Sequence, residues 1–289
     1  MKISEAFASF RKNEILALSK SAKTYESYVY AEKIAVTYFG NINIRKISIE
    51  QVHDFYLWMC KNHAQNTARG YICNLRSVLS YHQRNGVHGI LNTSLIKTPR
   101  REKKSVSWVA KNDFEKFVEK VGEPKKGYSL LNRERNVLIA KMLFLTGLRV
   151  SEICALNRDS IVNRQFSVIG KSKKPRSCFI TEELEKEISS YLARRTDNNP
   201  ALFIADQTGA RITPGIVRNV FRRVSAEFGK RVTPHTLRHS FATDMLDKGV
   251  DVRYVAELMG HQSLETTQMY THIRDSRLRL VYENATKSS

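Results

Sequence analysis

The sequence predicts a mainly α-helical protein that carries one small antiparallel β-hairpin and divides into two domains. Three observations support this. Apolar residues recur at three- and four-residue steps through most of the 289 residues. Strict alternation occurs at one place, Phe166 and Val168 followed by Cys178 and Ile180. A basic stretch with Pro99 and no apolar period, Lys97 to Lys111, separates two periodic halves. The expected organisation is a helical domain over 1–96, a basic linker over 97–107 and a larger domain over 108–289.

In the first half a weak helix is expected near 3–17. Thr24 to Phe39 sets Tyr28, Ala31, Ile34, Ala35 and Tyr38 on one face, and Gly40 stops it. Ser48 and Gln51 form a capping box ahead of Val52, Phe55, Tyr56 and Met59. Asn66 is the expected cap of a helix through Tyr71, Ile72, Leu75, Val78, Leu79 and His82, ending at Gly86. In the second half Asn112 is expected to cap a helix through Phe114, Phe117 and Val118. A helix from about Arg133 to Leu145 is apolar on most sides, which predicts burial, and Gly147 ends it. A short helix over 151–156 precedes the hairpin, whose insert Gly170 to Arg176 reads as a strongly basic tip. Helical spacing then covers 182–195, 214–228, 235–247, 251–259 and 263–270.

Composition bounds the function. Hydrophobic residues at 42% and charged ones at 26% exclude wholesale disorder. The 48 Lys+Arg against 28 Asp+Glu leave a net charge of +20, which favours a polyanionic partner, most simply nucleic acid. The charge is spread along the chain and is not a tail. No apolar run reaches a membrane span, and the N-terminus lacks a signal-peptide layout, so a cytoplasmic, nucleoid-associated protein without a membrane partner is expected. Cys60, Cys73, Cys154 and Cys178 are far apart and read as buried free thiols.

Several strings carry chemistry. Thr146-Gly147-Leu148-Arg149-Val150-Ser151-Glu152 sets an arginine just past a glycine turn. His235-Thr236-Leu237-Arg238-His239 opens a helix whose spacing sets His235 and Arg238 on one face, with Leu237, Phe241 and Leu246 turned to the core. Leu258-Met259-Gly260-His261 closes the next helix, and Tyr270 follows nine residues later. A lone His-x-x-Arg is expected by chance nearly once in a chain of this composition, so the information lies in the order and spacing of the set.

Taken together, TGLRVSE (146–152), HTLRHSFAT (235–243), LMGH (258–261) and Tyr270 resemble the signature of the tyrosine recombinases, the Xer and phage-integrase family. The hairpin beginning Gly170-Lys171 resembles the family's lysine-bearing hairpin, and the helical first half looks like its core-binding domain. There is no room for the arm-binding domain of lambda-type integrases, so the chain resembles the simpler Xer-like form. The resemblance implies a C-shaped clamp on double-stranded DNA. It also implies conservative site-specific recombination by a homo- or hetero-tetramer on two DNA sites.

By this resemblance Arg149 and Arg238 clamp the reacting phosphate, and Tyr270 is the nucleophile of a 3′-phosphotyrosyl intermediate. Lys171 protonates the leaving 5′-oxygen or is, with the other basic residues of the hairpin, a simple phosphate contact. His235 assists proton transfer at the tyrosine, and His261 donates a hydrogen bond to the phosphate. Always-charged guanidinium forks suit the negative charge that develops on phosphoryl oxygens. No metal-binding cluster is present in the sequence, and the resemblance implies neither metal nor cofactor. Glu152 either orients His235 or Arg149 or is an ordinary acid at a helix start. Lys173, Lys174 and Arg176 read as phosphate contacts, as do Arg100, Arg101, Lys103 and Lys104 if the linker is more than a solvated loop. Arg69, Asn74 and Arg76 share a polar helix side that either faces a groove or is simply solvated. The tail after Tyr270 docks on its own domain or on a neighbour. A type IB topoisomerase-like nicking–closing enzyme and a non-cutting DNA-binding regulator are the alternatives. The intact residue set argues against the regulator.

Overall fold

Eleven α-helices and one two-stranded sheet are described in the computed structural model, which covers residues 1–102, 107–170, 175–205 and 207–260. The chain forms two compact units, Met1–Lys104 and Ser105–Ser289. Lys103, Lys104, Lys171, Lys173, Lys174, His261, Tyr270, the expected helix over 263–270 and the tail lie outside the described residues.

The first unit is built from α1 (Ile3–Phe10), α2 (Ala22–Phe39), α3 (Ile49–Asn62) and α4 (Gln65–Arg84), with a π-helical turn, Arg11–Leu16, after α1. Ser21 caps α2 by accepting from the Thr24 amide, and Gly40, at φ +72°, ends it. Ser48 and Gln51 form the expected reciprocal capping box of α3, at 3.3 and 3.0 Å. The apolar faces of the four helices bury Phe7, Phe55, Met59, Ile72, Leu75 and Leu79 in one core. His82 is buried in α4, with Nε2 2.9 Å from the Ala6 carbonyl.

Asn66 does not cap α4. The N-cap is Ala64, and the Asn66 amide instead grips the backbone of Glu102, donating to its carbonyl at 3.0 Å and accepting from its N–H at 3.1 Å. Arg69 Nε donates to the Pro99 carbonyl at 2.9 Å. The backbone of 99–102 therefore lies against the first turns of α4. A side-chain amide can pair with an extended peptide as a neighbouring strand would, and here that tertiary bond outcompetes the local cap.

The second unit runs α5 (Lys111–Gly122), α6 (Leu130–Thr146), α7 (Val150–Ala155), β1 (Gln165–Ile169), β2 (Pro175–Phe179), α8 (Glu182–Ala193), α9 (Pro214–Phe228), α10 (Pro234–Asp247) and α11 (Val252–Met259). As its all-round apolar pattern predicts, α6 is the central helix, burying Leu138, Ile139, Met142 and Leu143, with Phe144 stacked on Phe114 at 3.8 Å. Asn112 does not cap α5. Ala110 holds that position, because the preceding Val109 N–H is drawn to Ser240 Oγ on α10 at 2.7 Å and sets where the helix begins. The strands pair Phe166 with Cys178 and Val168 with Arg176, and these four face inward. Arg176 is thus a strand residue and not part of the tip.

Gly147 terminates α6 in the left-handed region, at φ +62°, and a Cβ there would lie 2.4 Å from Phe241 Cδ1. Gly229, which ends α9 at φ +74°, has nothing within 4 Å of that position. Both positions are strained for an L-residue, but Gly147 adds a collision with the core. Gly147→Ala should therefore cost roughly 2–4 kcal/mol and Gly229→Ala about 1 kcal/mol in denaturant unfolding. Equal losses would contradict this packing.

Candidate active site

The site forms where α6, α7, β2, α10 and α11 meet. The Gly147 turn delivers Arg149 to the N-cap of α7, where Glu152, one turn on, accepts from the Arg149 backbone N–H at 2.7 Å. The same carboxylate accepts from Arg149 Nη1 at 2.8 Å and, in a two-pronged pair, from Arg176 Nη1 and Nη2 at 3.0 and 2.7 Å. Two guanidiniums from distant segments thus share one buried acid.

The end of α11 supplies the other partner. Leu258 O accepts from Arg176 Nε at 2.8 Å, Met259 O from Arg238 Nη2 at 2.5 Å, and Gly260 O from Arg149 Nη2 at 3.2 Å. Arg238 also donates to Gly147 O at the end of α6. The last carbonyls of a helix have no partner within the helix and sit at its negative end, so each cation there meets both an acceptor and a favourable field. Gly260, at φ +62°, leaves room for this, since a Cβ would come 3.0 Å from Arg176 Cδ.

The cluster holds three cations against one carboxylate. Arg238 and Arg176 are buried, while the Arg149 side chain keeps 23% of its exposure and is the most open of the three. Burial pushes the Glu152 carboxyl up, but the hydrogen bonds from Arg176 and from the Arg149 backbone and side chain outweigh it and bring it from 4.5 to about 2. His235 is exposed in the first turn of α10, one turn before Arg238. Its neighbour His239 is held down at about 4 by burial and by the nearby charges of His235 and Arg238, so it is neutral at pH 7. Leu237 and Phe241 are buried as their spacing predicts, and Leu246 is partly buried beside Phe241, Val255 and Met259.

The structure brings Arg149, Glu152 and Arg238 together and joins to them a residue read differently from sequence. Arg176, expected as a phosphate contact on a basic tip, is buried against Glu152 and Leu258. The two-residue period of the strand carries the signal, because Arg176 lies two before the inward Cys178. Arg69 is engaged with Pro99, Asn74 Nδ2 donates to Ser27 Oγ at 3.2 Å, Arg76 is half-buried, and Arg100 and Arg101 are exposed. A further cationic face went unread. Val217, Val220, Phe221 and Val224 bury one side of α9, which leaves Arg218, Asn219 and Arg222 exposed on the other. The amphipathic spacing of 214–228 already implies that face.

All four cysteines are free; Cys154 and Cys178 are buried, whereas Cys60 and Cys73 are only half-buried. Burial pushes the Cys154 thiol up to about 11, which leaves it un-ionised and a poor nucleophile at pH 7. Among the described residues there is no group of three or more His, Cys, Asp or Glu able to hold a metal ion. None of the described helices is long and apolar enough to cross a membrane.

The mostly helical fold and the relatives of the chain define its class, that of the tyrosine recombinases. The chain superimposes on the XerH site-specific recombinase, solved as a post-cleavage complex bound to palindromic difH substrate. The TM-score is 0.76 over 96% of this chain and 84% of that one, at 24% identity. It is also similar to the Tn1549 transposon integrase in complex with circular intermediate DNA, with TM-score 0.78 over 97% and 99% at 16% identity. Residues 108–277 match the phage integrase family, and the chain belongs to that family. Tyrosine recombinase XerA of Pyrococcus furiosus is 36% identical over 66% of this chain, a match that spans 65% of that protein. Tyrosine recombinase XerD of Oceanobacillus iheyensis is 32% identical over 83% of this chain and 82% of its own length. The resemblance read from the motifs is thereby met, as is the mainly helical fold with a small antiparallel sheet.

The depressed Glu152 acid has a consequence for stability. A carboxyl held below its ordinary value contributes stability above about pH 4.5 that is lost as the pH falls towards 2. Glu152→Gln lacks that ionisation. The unfolding free-energy gap between wild type and variant should shrink by roughly 2–3 kcal/mol from neutral pH down to the acid limb. Denaturant melts at a series of pH values measure it, and a constant gap would mean that Glu152 is not held as an ion.

Proposed function

We propose that this chain is a site-specific tyrosine recombinase that cuts and rejoins duplex DNA. The observation that supports this most directly is the joint seating of Arg149 and Arg238. They come from motifs far apart in sequence, yet both bond to the end of α11, Arg238 to Met259 and Arg149 to Gly260. Their guanidiniums are the phosphate clamp of this reading. In the reaction the Tyr270 hydroxyl attacks the scissile phosphorus, the bond to the 5′-oxygen breaks, and a 3′-phosphotyrosyl bond forms. His235 assists removal of the phenol proton, and Lys171 gives a proton to the departing 5′-oxygen. His261, directly after Gly260, donates to a phosphoryl oxygen. Negative charge grows on the nonbridging oxygens, and the arginines stabilise it where they stand. The covalent link conserves the phosphodiester bond energy, so rejoining to another strand needs no ATP.

The DNA surface in this reading combines the half-buried and exposed cations of the first unit with Arg100, Arg101 and the exposed side of α9. The helical unit before the linker grips the duplex, and the unit over 108–289 cuts it. Two protomers act per site and four in the synapse, and the protein works at the nucleoid in the cytoplasm. XerH and the Tn1549 integrase, whose structures contain DNA, support a duplex partner for this chain.

Tyr270→Phe is expected to bind a recombination site normally yet leave no covalent protein–DNA adduct on a nicked suicide substrate. Persistence of the adduct would reassign the nucleophile, and absence of the adduct from the wild type would favour a non-cutting regulator. Arg222→Ala should weaken DNA binding and reduce the slope of log affinity against log salt by about 1. An unchanged slope would remove α9 from the DNA surface.

A further inference from the structure

Arg176 stands apart from the residues that the motifs name. It is carried by β2, its side chain is 7% exposed, and all three guanidinium nitrogens are engaged, two on Glu152 and one on the Leu258 carbonyl. Glu152 is also 5% exposed and offers its other contacts to Arg149. One carboxylate therefore lies between two guanidiniums. A single negative charge shared by two cations neutralises neither, and the pair Arg149–Glu152 alone would carry no net charge. With Arg176 in place the three groups together carry one positive charge next to the position where Arg149 stays open.

We propose that Arg176 is a positioning residue for phosphoryl transfer that acts through Glu152. It draws off the charge of that carboxylate and so leaves Arg149 positively charged toward the reacting phosphate. It simultaneously ties the hairpin strand to the end of α11, through Leu258, and to the start of α7, through Glu152. The three segments that bear on the phosphate are thus locked to one another by one side chain. Gly260 belongs to the same device, since a Cβ there would press on the Arg176 side chain, 3.0 Å from its Cδ, and force it to shift. This inference rests on the recombinase reading above and adds to it a residue outside the motif set.

The test compares cleavage of a suicide substrate with a normal scissile phosphodiester and of one with a neutral methylphosphonate at the same position. Wild-type adduct formation on the phosphodiester is the control for the recombinase reading. If the wild type forms none, that reading fails, whatever Arg176 does. Arg176→Met should slow cleavage of the phosphodiester by about 10- to 100-fold, with DNA affinity within about twofold of wild type. On the methylphosphonate, where less negative charge develops, the loss should be at least several-fold smaller. The double variant R176M/E152Q removes both members of the buried pair, avoids a stranded carboxylate and keeps an acceptor for Arg149. It should therefore cut the phosphodiester faster than R176M alone. Arg176→Lys, which retains the charge, should fall between wild type and R176M. Equal losses on the two substrates, or a double variant no faster than R176M, would make Arg176 a purely structural residue and overturn the proposal.

Discussion

The carbonyls at the end of α11 are the point on which the second unit converges. Leu258, Met259 and Gly260 present three consecutive acceptors at the negative end of a helix, and each is taken by a different arginine, from β2, α10 and the start of α7. Left buried without partners, those acceptors would carry a desolvation cost each. Guanidinium groups satisfy them with charge-assisted bonds and remain cationic. The same contacts hold four chain segments together and collect positive charge at one place.

The charge of the chain takes on a different meaning in this light. A surplus of +20 suggests a surface made for phosphates. Part of the arginine content faces inward instead. Arg135 donates to the Ile204 carbonyl, Arg195 to the Ala201 and Leu202 carbonyls and to Asp197, and Arg211 to the Cys154 and Leu156 carbonyls. These bonds close loops whose backbone groups would otherwise be unsatisfied. Arg176 and Arg238 do the same at the end of α11. The exposed side of α9, the exposed linker arginines and exposed basic residues of the first unit such as Lys12, Lys23 and Lys46 face solvent instead.

Local signals were legible wherever one residue's chemistry decides the outcome. The Ser48–Gln51 box, the Gly40 and Gly147 stops and the all-round apolar pattern of α6 could be read directly, because caps and left-handed turns depend on neighbours three or four residues away. Asn66 misled because its amide can pair with any peptide within reach, and Asn112 because the helix already begins at Lys111. Asn66 found the Glu102 backbone, and the start of α5 was set by Ser240 from α10. Arg176 misled for a related reason. Its charge suggested the hairpin tip, while its place in the two-residue alternation sent it inward.

The sequence alone determined the helical class, the single hairpin and the two periodic halves, since periodicity and residue type are local properties of a chain. The ordered set Arg149, Lys171, His235, Arg238, His261 and Tyr270 was legible only through its resemblance to a family signature. Only the tertiary structure decided that Arg149, Arg176 and Arg238 meet at one helix end, and that Glu152 is shared by two of them. Pairing between charges distant in sequence depends on which carbonyls and carboxylates the fold leaves unsatisfied, and no local pattern encodes that geometry.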